Sequence, residues 1–252
     1  MTFLSIRKYH PESKIDLFIA SRSARATSWK NERQDFQSDS ASDCYISELP
    51  GIGVNVIESD IFPTYQPNYQ SDLFRWWWLF NNGGFYMDTD QIVLRSFKSL
   101  PLNSDFIFSS YRAESCGVYS PVGVLGAKKF SPIADYIKSV IMDHYNPDDY
   151  NSIGPFMLTK VLQEKVRSWS SEFSLFNSPP NFFYPVQESS YVESFLRSGN
   201  SVSDESFAIH WFGGNKFSQR FNMVFDEEYA NSHDDLISLK SRELIDFWKN
   251  NF

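Results

Sequence analysis

SDLFRWWWLFNNGGFYMDTDQ, residues 71–91, sets a helix, a turn, a strand and a charged loop in that order. Pro67 opens the helix, where its missing N–H does no harm, and Gly83-Gly84 lie past the end predicted at Phe80. The predicted helix, 67–80, is apolar on most sides, which marks it as buried. Asp72 and Arg75 are the exceptions. Three residues apart, they share a face. Charges on a buried helix need partners. Either the two form an internal ion pair, or they hold a ligand. Residues 85–87 then form a strand that runs straight into Asp88-Thr89-Asp90. In an extended chain residues i and i+2 point to one side. Two carboxylates so placed can hold a hard divalent cation, directly or through water. The carboxyl end of a parallel strand is also where α/β sheets bind ligands. A DxD alone is usually a solvated loop. Here the buried helix and the GGFYM strand before it favour the metal.

Working outward, strands are expected at 15–20 (IDLFIA) and 53–57 (GVNVI), with the polar, Ser-rich stretch 21–50 as helix plus loop. Residues 91–94 continue extended, and 105–109 and 117–125 supply further strands. Ser131-Pro132 opens a helix with Ile133, Tyr136, Ile137, Val140 and Ile141 at spacings of three and four. Pro155 opens another, carrying Phe156, Thr159 and Leu162. Residues 182–185 read as a short strand end and 206–211 as a late strand. A terminal amphipathic helix over 234–252 carries a stripe of Leu236, Leu239, Leu244, Phe247 and Trp248. It either packs on the domain or docks on a membrane, and its acidic residues favour packing. Alternating strands and helices predict an α/β fold with a mostly parallel central sheet flanked by helices. No Pro/Gly/Ser-rich linker divides the chain, so 1–252 is read as one domain.

The 252 residues are 42% hydrophobic and 17% aromatic, too apolar for a disordered chain. The net charge of −8 argues against a nucleic-acid partner, which would favour a basic patch. An acidic protein binds an anionic ligand where a metal ion supplies local positive charge. Cys44 and Cys116 form no zinc-type spacing and read as ordinary thiols of a reducing compartment. Residues 1–14 do not read as a signal peptide, and no apolar run reaches the length of a membrane span. The expected location is cytoplasmic, with membrane contact at most peripheral.

A second motif is HWFGGNK, residues 210–216. A histidine on a strand is more often structural. This one is followed by Gly213, Gly214 and Lys216. Glycines let a backbone approach phosphate, and lysine supplies the countercharge. His210 is thus a candidate nitrogen ligand to a metal that also sees Asp88 and Asp90. Manganese suits such mixed ligation better than magnesium.

Residues 71–90 closely resemble the DxD-containing sugar-binding region of glycosyltransferase family 32 and the related large clostridial toxins. Ser71, Asp72, Arg75, Gly83, Gly84, Phe85, Tyr86, Asp88 and Asp90 carry the match. HWFGGNK resembles the HxxGxxK element of family 8 through His210, Gly213 and Lys216, and Gly154-Pro155 resembles a helix start of family 32. The resemblance implies a GT-A fold that transfers a sugar from a UDP- or GDP-sugar donor to a glycan, lipid-linked or protein acceptor. It implies Mn2+ (or Mg2+) as cofactor and retention at the anomeric carbon. By the same resemblance Asp72 and Arg75 contact the donor sugar, with Gly84 and Tyr86 among the donor-binding residues. Asp88 reaches the ribose or sugar and, through water, the metal. Asp90 and His210 ligate the metal, while Gly213 and Lys216 meet the diphosphate. Asn151 and Gln187 are candidates for the polar group facing the anomeric carbon. A nucleotide-sugar hydrolase and a non-catalytic carbohydrate- or nucleotide-binding module are the alternatives. One departure stands out. The family opens on a strand bearing the base pocket, and residues 1–20 match the helix and strand after it. Residues 2–6 are expected to serve as a degenerate edge strand with a shallow base pocket that chooses little between uridine and guanosine. Tyr111 and Tyr119 are aromatics without an assigned role.

Overall fold

A computed structural model describes residues 1–20, 45–113, 117–186, 202–213, 218 and 225–252. The chain runs α1 (Thr2–Tyr9), β1 (Ile15–Ala20), a 3-10 turn at Tyr45–Ile52, β2 (Val54–Ser59) and α2 (Pro67–Asn82). It continues through β3 (Gly84–Met87), β4 (Gln91–Val93), β5 (Phe106–Ser109), β6 (Tyr111–Ala113), β7 (Gly117–Tyr119) and β8 (Val124–Ala127). The second half holds α3 (Pro132–Val140), α4 (Met157–Glu172), β9 (Leu175–Ser178), α5 (Pro180–Phe183), β10 (Ala208–His210), α6 (Glu227–Ser232) and α7 (Leu236–Asn251).

The class is mixed α and β, but the pairing differs from the expected parallel sheet. Among the described residues the largest sheet has the order β3-β8-β5-β9. Its β3–β8 and β5–β8 pairs are antiparallel and only β5–β9 is parallel. β1–β2 is a separate parallel pair, β4–β10 an antiparallel one, and β6–β7 another antiparallel pair. The cause is the stretch between α2 and α3. Among its described residues it strings together six strands with only a 3-10 turn at Phe97–Ser99 as a helical element. Parallel neighbours need a long crossover, usually an α-helix. Where such a connection exists, with α3 and α4 between β5 and β9, the pairing is parallel.

Strand alternation sends β8 residues to opposite sides. Leu125 and Ala127 join Tyr69, Trp76, Leu79, Ile133, Ile137 and Met157 under the helices. Val124 joins Phe97, Phe183, Tyr184 and Phe207 on the other side. α2 buries Tyr69, Asp72, Leu73, Trp76 and Leu79 at helical spacing, whereas Phe74, Trp77 and Trp78 stay half-buried. Phe18 of β1 packs on Phe74 and Trp78, with ring centroids 4.4 and 4.6 Å apart. Gly83 ends α2 at φ +68°, and a Cβ there would lie 2.5 Å from the Lys129 backbone nitrogen. Only glycine allows both that conformation and that approach. Ser131 caps α3 and Asp235 caps α7, each side chain accepting a backbone N–H.

Three local expectations are corrected. Residues 2–6 belong to helix α1, not to an edge strand, and the shallow base pocket argued from that strand loses its basis. The first turn of α1 docks on the DTD loop and on β4: Thr2 Oγ1 donates to the Thr89 carbonyl, and Ser5 Oγ accepts from Val93 N at 2.9 Å. Residues 180–183 form helix α5 where a strand end was expected; Pro180 at its start favours that geometry. The terminal helix buries Leu236, Ile237 and Leu244 beside Ile92 and Ile209, so it packs on the domain. Leu239 and Trp248, expected in the stripe, are 38% and 40% exposed. Helical spacing alone did not identify which face turns inward. β9 was not anticipated. Among the described residues, no helix is long and apolar enough to cross a membrane.

Candidate active site and metal centre

Asp72 and Arg75 come from the inward face of α2, so the helix core dictates where they point. Both are 4% exposed. Arg75 Nη2 lies 3.0 Å from Asp72 Oδ1 and 3.8 Å from Asp88 Oδ1. It also donates to Ser71 Oγ at 3.0 Å, and Nη1 donates to the Val122 carbonyl at 2.6 Å. The guanidinium stacks over the Tyr86 ring, 4.5 Å from its centroid. Tyr86 Oη donates to Asp88 Oδ1 at 2.9 Å and shares a 2.8 Å hydrogen bond with Ser71 Oγ. The ion pair, one of the two alternatives, therefore exists, but it is one edge of a knot that also holds Tyr86 and Asp88 and opens on the cleft.

Burial sets the protonation of this knot. It pushes the Asp72 carboxyl up to about 7, against the opposing pull of Arg75 and with help from Asp88. Burial likewise raises the Tyr86 phenol far above its ordinary value. Arg75 stays charged: burial works against its charge, but Tyr86, Asp72 and Asp88 outweigh it. The Asp72 carboxylate fits because residue 154 is glycine. A Cβ there would lie 2.9 Å from both Asp72 oxygens. Gly154 sits in a π-type turn at Ser152–Phe156 with non-helical φ −96° and ψ −118°. Such turns are frequent at functional sites.

The DTD segment is a turn between β3 and β4 rather than an extended run, and β3 is antiparallel to its neighbour. The two carboxylates converge nonetheless. One potential ligand atom each from Asp88, Asp90 and His210 lies within 4.8 Å of the others. β10 pairs with β4 in the register His210↔Gln91, which sets the histidine beside the turn. His210 Nε2 is 3.0 Å from Asp90 Oδ2, and Gly213 N donates to the same oxygen at 2.8 Å. Burial alone would raise the Asp90 carboxyl, yet His210 and the Gly213 amide hold it below the usual carboxylate range. Burial alone would lower the His210 imidazole, yet Asp90 raises it. Asp90 Oδ1 and His210 Nδ1 are buried without a hydrogen-bond partner. Two oxygen donors, one nitrogen donor and orphaned polar atoms make a donor set that fits Mn2+ or Mg2+.

Both groups open on one cleft of about 1250 Å3. Asp72, Arg75, Tyr86, Asp88, Asp90, His210 and Gly213 line it. Asn151 lines it too, beside the Gly154 turn. Gly84 does not: it is exposed at φ +87° with open space about it. Gly214, Lys216 and Gln187, like Cys44 and Cys116, fall outside the described residues. Tyr111 and Tyr119 face each other across β6–β7 and form part of the lining.

Sequence reading missed several contributors. Phe18, Phe74 and Trp78 line the end of the cleft beside β1. Gly123 approaches the site so closely that a Cβ would meet Asp88 Oδ2 at 2.8 Å, Gln91 Nε2 at 3.1 Å and Tyr184 Oη at 3.4 Å. Tyr184, fully buried, accepts a hydrogen bond from Val124 N at 2.7 Å. The one sequence signal was Gln91, a polar residue in a strand that otherwise reads as buried.

Residues 3–107 match the family model of the glycosyltransferase sugar-binding region containing the DXD motif. Residues 127–233 match that of the alpha 1,4-glycosyltransferase conserved region. Two glycosyltransferase-family segments thus lie in tandem, the first carrying Asp72, Arg75, Asp88 and Asp90, the second His210. Among solved structures the PaToxG glycosyltransferase is similar over 68% of this chain and 63% of its own length, at 16% identity and a TM-score of 0.42. The chain therefore spans less than two thirds of that protein. No curated protein matches it.

Proposed function

We propose that this relative of the DXD glycosyltransferases transfers a sugar from a UDP- or GDP-sugar to a glycan, lipid-linked or protein acceptor, with a divalent cation and with retention at the anomeric carbon. One observation carries the reading. Asp88, Asp90 and His210 converge in the same cleft as the buried Asp72–Arg75 pair. Asp90 and His210 would hold Mn2+ (or Mg2+) directly, and Asp88 directly or through water. Bound there, the cation offsets the charge of the donor diphosphate and of the leaving nucleoside diphosphate. Arg75 offers the donor a fixed positive charge that the surrounding anions keep protonated. Asp72, once ionised, accepts hydrogen bonds from sugar hydroxyls. Tyr86 holds Asp88 and Arg75 in place. Lys216, by the resemblance of its motif, meets the diphosphate.

Positioning and electrostatics supply most of the rate in this scheme. No carboxylate stands out as a nucleophile, so a front-face reaction is preferred, in which the leaving phosphate helps deprotonate the acceptor. Asn151 is the described candidate for the polar group facing the anomeric carbon. In this reading residues 1–252 act as a single GT-A-type domain, and the enzyme works in the cytoplasm. The deciding experiment incubates the protein with a panel of nucleotide sugars and Mn2+, with and without sugar acceptors. Transfer supports the proposal. Donor hydrolysis alone makes the protein a nucleotide-sugar hydrolase, and binding without turnover makes it a non-catalytic module.

A further inference from the structure

Gln91 is the residue next to the DTD turn and the least comfortable polar side chain around it. It is 0% exposed, and neither its Nε2 nor its Oε1 has a hydrogen-bond partner. A buried, unpaired amide is expensive, because each orphaned group gives up its hydration with nothing in exchange. The two other orphaned atoms at this site belong to its neighbours, Asp90 Oδ1 and His210 Nδ1. Gln91 and His210 are direct partners in the antiparallel β4–β10 pair. Residues directly opposite lie on one face with Cβ atoms about 4.5–5.5 Å apart. On its other side, Gln91 Nε2 shares the space over Gly123 with Asp88 Oδ2, the two lying 3.1 and 2.8 Å from the point a Cβ would occupy. The amide therefore sits between two of the three residues that could hold a cation.

The inventory of donors and acceptors is complementary. A neutral imidazole that offers Nε2 to a cation carries its proton on Nδ1 and needs an acceptor there. Gln91 Oε1 is a buried acceptor in want of a donor. A carboxylate in a metal site is usually steadied by a hydrogen bond to an oxygen. Gln91 Nε2 is a buried donor in want of an acceptor, packed on the same glycine as Asp88 Oδ2. We infer that Gln91 is a positioning residue that joins Asp88 and His210 from behind: its Oε1 accepts from His210 Nδ1–H and its Nε2 donates to Asp88 Oδ2 when the cation site fills. Gly123 is its necessary companion, because any side chain there would push Asp88 and the amide apart. This inference rests on the metal reading above and adds what fixes the tautomer of His210 and the aim of Asp88.

The test uses the full chain with Mn2+ alone and no donor, reading free Mn2+ by electron paramagnetic resonance beside the melting temperature of the metal-free protein. Gln91→Met keeps the volume and removes both polar atoms; Gln91→Asn keeps the amide and draws it back by one methylene. Both variants should bind Mn2+ about 10–100-fold more weakly. Gln91→Met, rid of two unpaired polar atoms, should melt no lower than wild type without metal. Should Gln91→Met fail to fold, the affinity of Gln91→Asn decides. Variants that bind Mn2+ as tightly as wild type overturn the inference and leave the metal reading standing. A wild-type chain that binds no Mn2+ overturns the metal reading itself, and this inference falls with it.

Discussion

The two halves of the site differ in how completely they satisfy themselves. In the Asp72–Arg75–Tyr86–Asp88 knot every named side chain has a close partner, and Arg75 touches Ser71, Asp72, Tyr86, Asp88 and the Val122 carbonyl. At the Asp90–His210 corner each residue has one satisfied atom and one buried orphan. Low-dielectric surroundings strengthen complete networks and penalise incomplete ones. The knot is therefore a preorganised wall that ligands meet as it stands. The corner leaves Asp90 Oδ1 and His210 Nδ1 unpaired, which is where the proposed cation site lies. Substitutions should accordingly unsettle folding on one side and binding on the other.

The largest effect should come from Arg75→Met. It leaves Asp72 and Asp88 without their cation and removes a ring contact from Tyr86. Breaking a buried pair this way costs about 3–5 kcal/mol, read as a lowered urea midpoint. A midpoint near wild type would mean that the knot is not structural.

Asp90→Ala should break the other side of the comparison. It removes a candidate ligand and leaves the knot untouched. Mn2+ should no longer raise the melting temperature or promote donor binding, while the metal-free protein melts much closer to wild type than Arg75→Met does. Donor binding with unchanged manganese dependence would remove Asp90 from the metal site.

Asp72→Asn separates charge from packing by pH. The Asp72 carboxyl titrates at about 7 when folded against 3.8 ordinarily, so its folded pKa is raised. A raised pKa contributes stability that is complete below about pH 4 and is lost as pH climbs through 7. Over that window the wild-type protein should lose stability relative to Asp72→Asn, with a slope of at most about 1.4 kcal/mol per pH unit. Metal-free melting curves at several pH values measure it, and parallel curves would contradict the raised pKa. The variant should fold yet lose turnover. A large fall in stability with unchanged activity per folded molecule would make Asp72 a structural partner only.

Ser71→Ala is the smallest perturbation. Its hydroxyl bridges Arg75 and Tyr86, which retain other partners, so the expected loss is about 0.5–1.5 kcal/mol by chemical denaturation. A loss as large as that of Arg75→Met would show that the knot is held by its hydroxyl rather than by its charges.

Much of this arrangement was legible in the sequence. The Pro67 start, the glycines after α2 and the i, i+3 spacing of Asp72 and Arg75 fixed the helix and one of its faces. The DxD and the HxxG motif pointed at residues that do converge. Short-range patterns could not reveal how the strands pair. The four extended segments read between the helices at 67–80 and 131–141 looked like pieces of a parallel sheet, and the register that brings His210 opposite Gln91 depends on residues over a hundred positions apart. Helix α1 and β1 were legible through the resemblance of residues 1–20 to a helix and strand, whereas residues 2–6 alone are apolar enough for either structure, and the docking of α1 on Thr89 and Val93 decides the matter. Gly123 and Gly154 gave no local signal, since their role is to have no side chain where Asp88 and Asp72 need room.

The backbone contact of Gly83 on Lys129 has a consequence for which changes to the gene this region can absorb. Gly83 is pinned at one end of β3 and the Asp88 N–H is tied to the Gly123 carbonyl at 2.8 Å at the other. Four strand residues fill the gap with no slack. Gaining or losing a single codon there would slide the strand by one, and a slide of one exchanges its two faces. Tyr86 would turn away from Arg75 and a phenylalanine or methionine would take its place. Between positions 83 and 88 the chain should therefore accept replacements far more readily than changes of length.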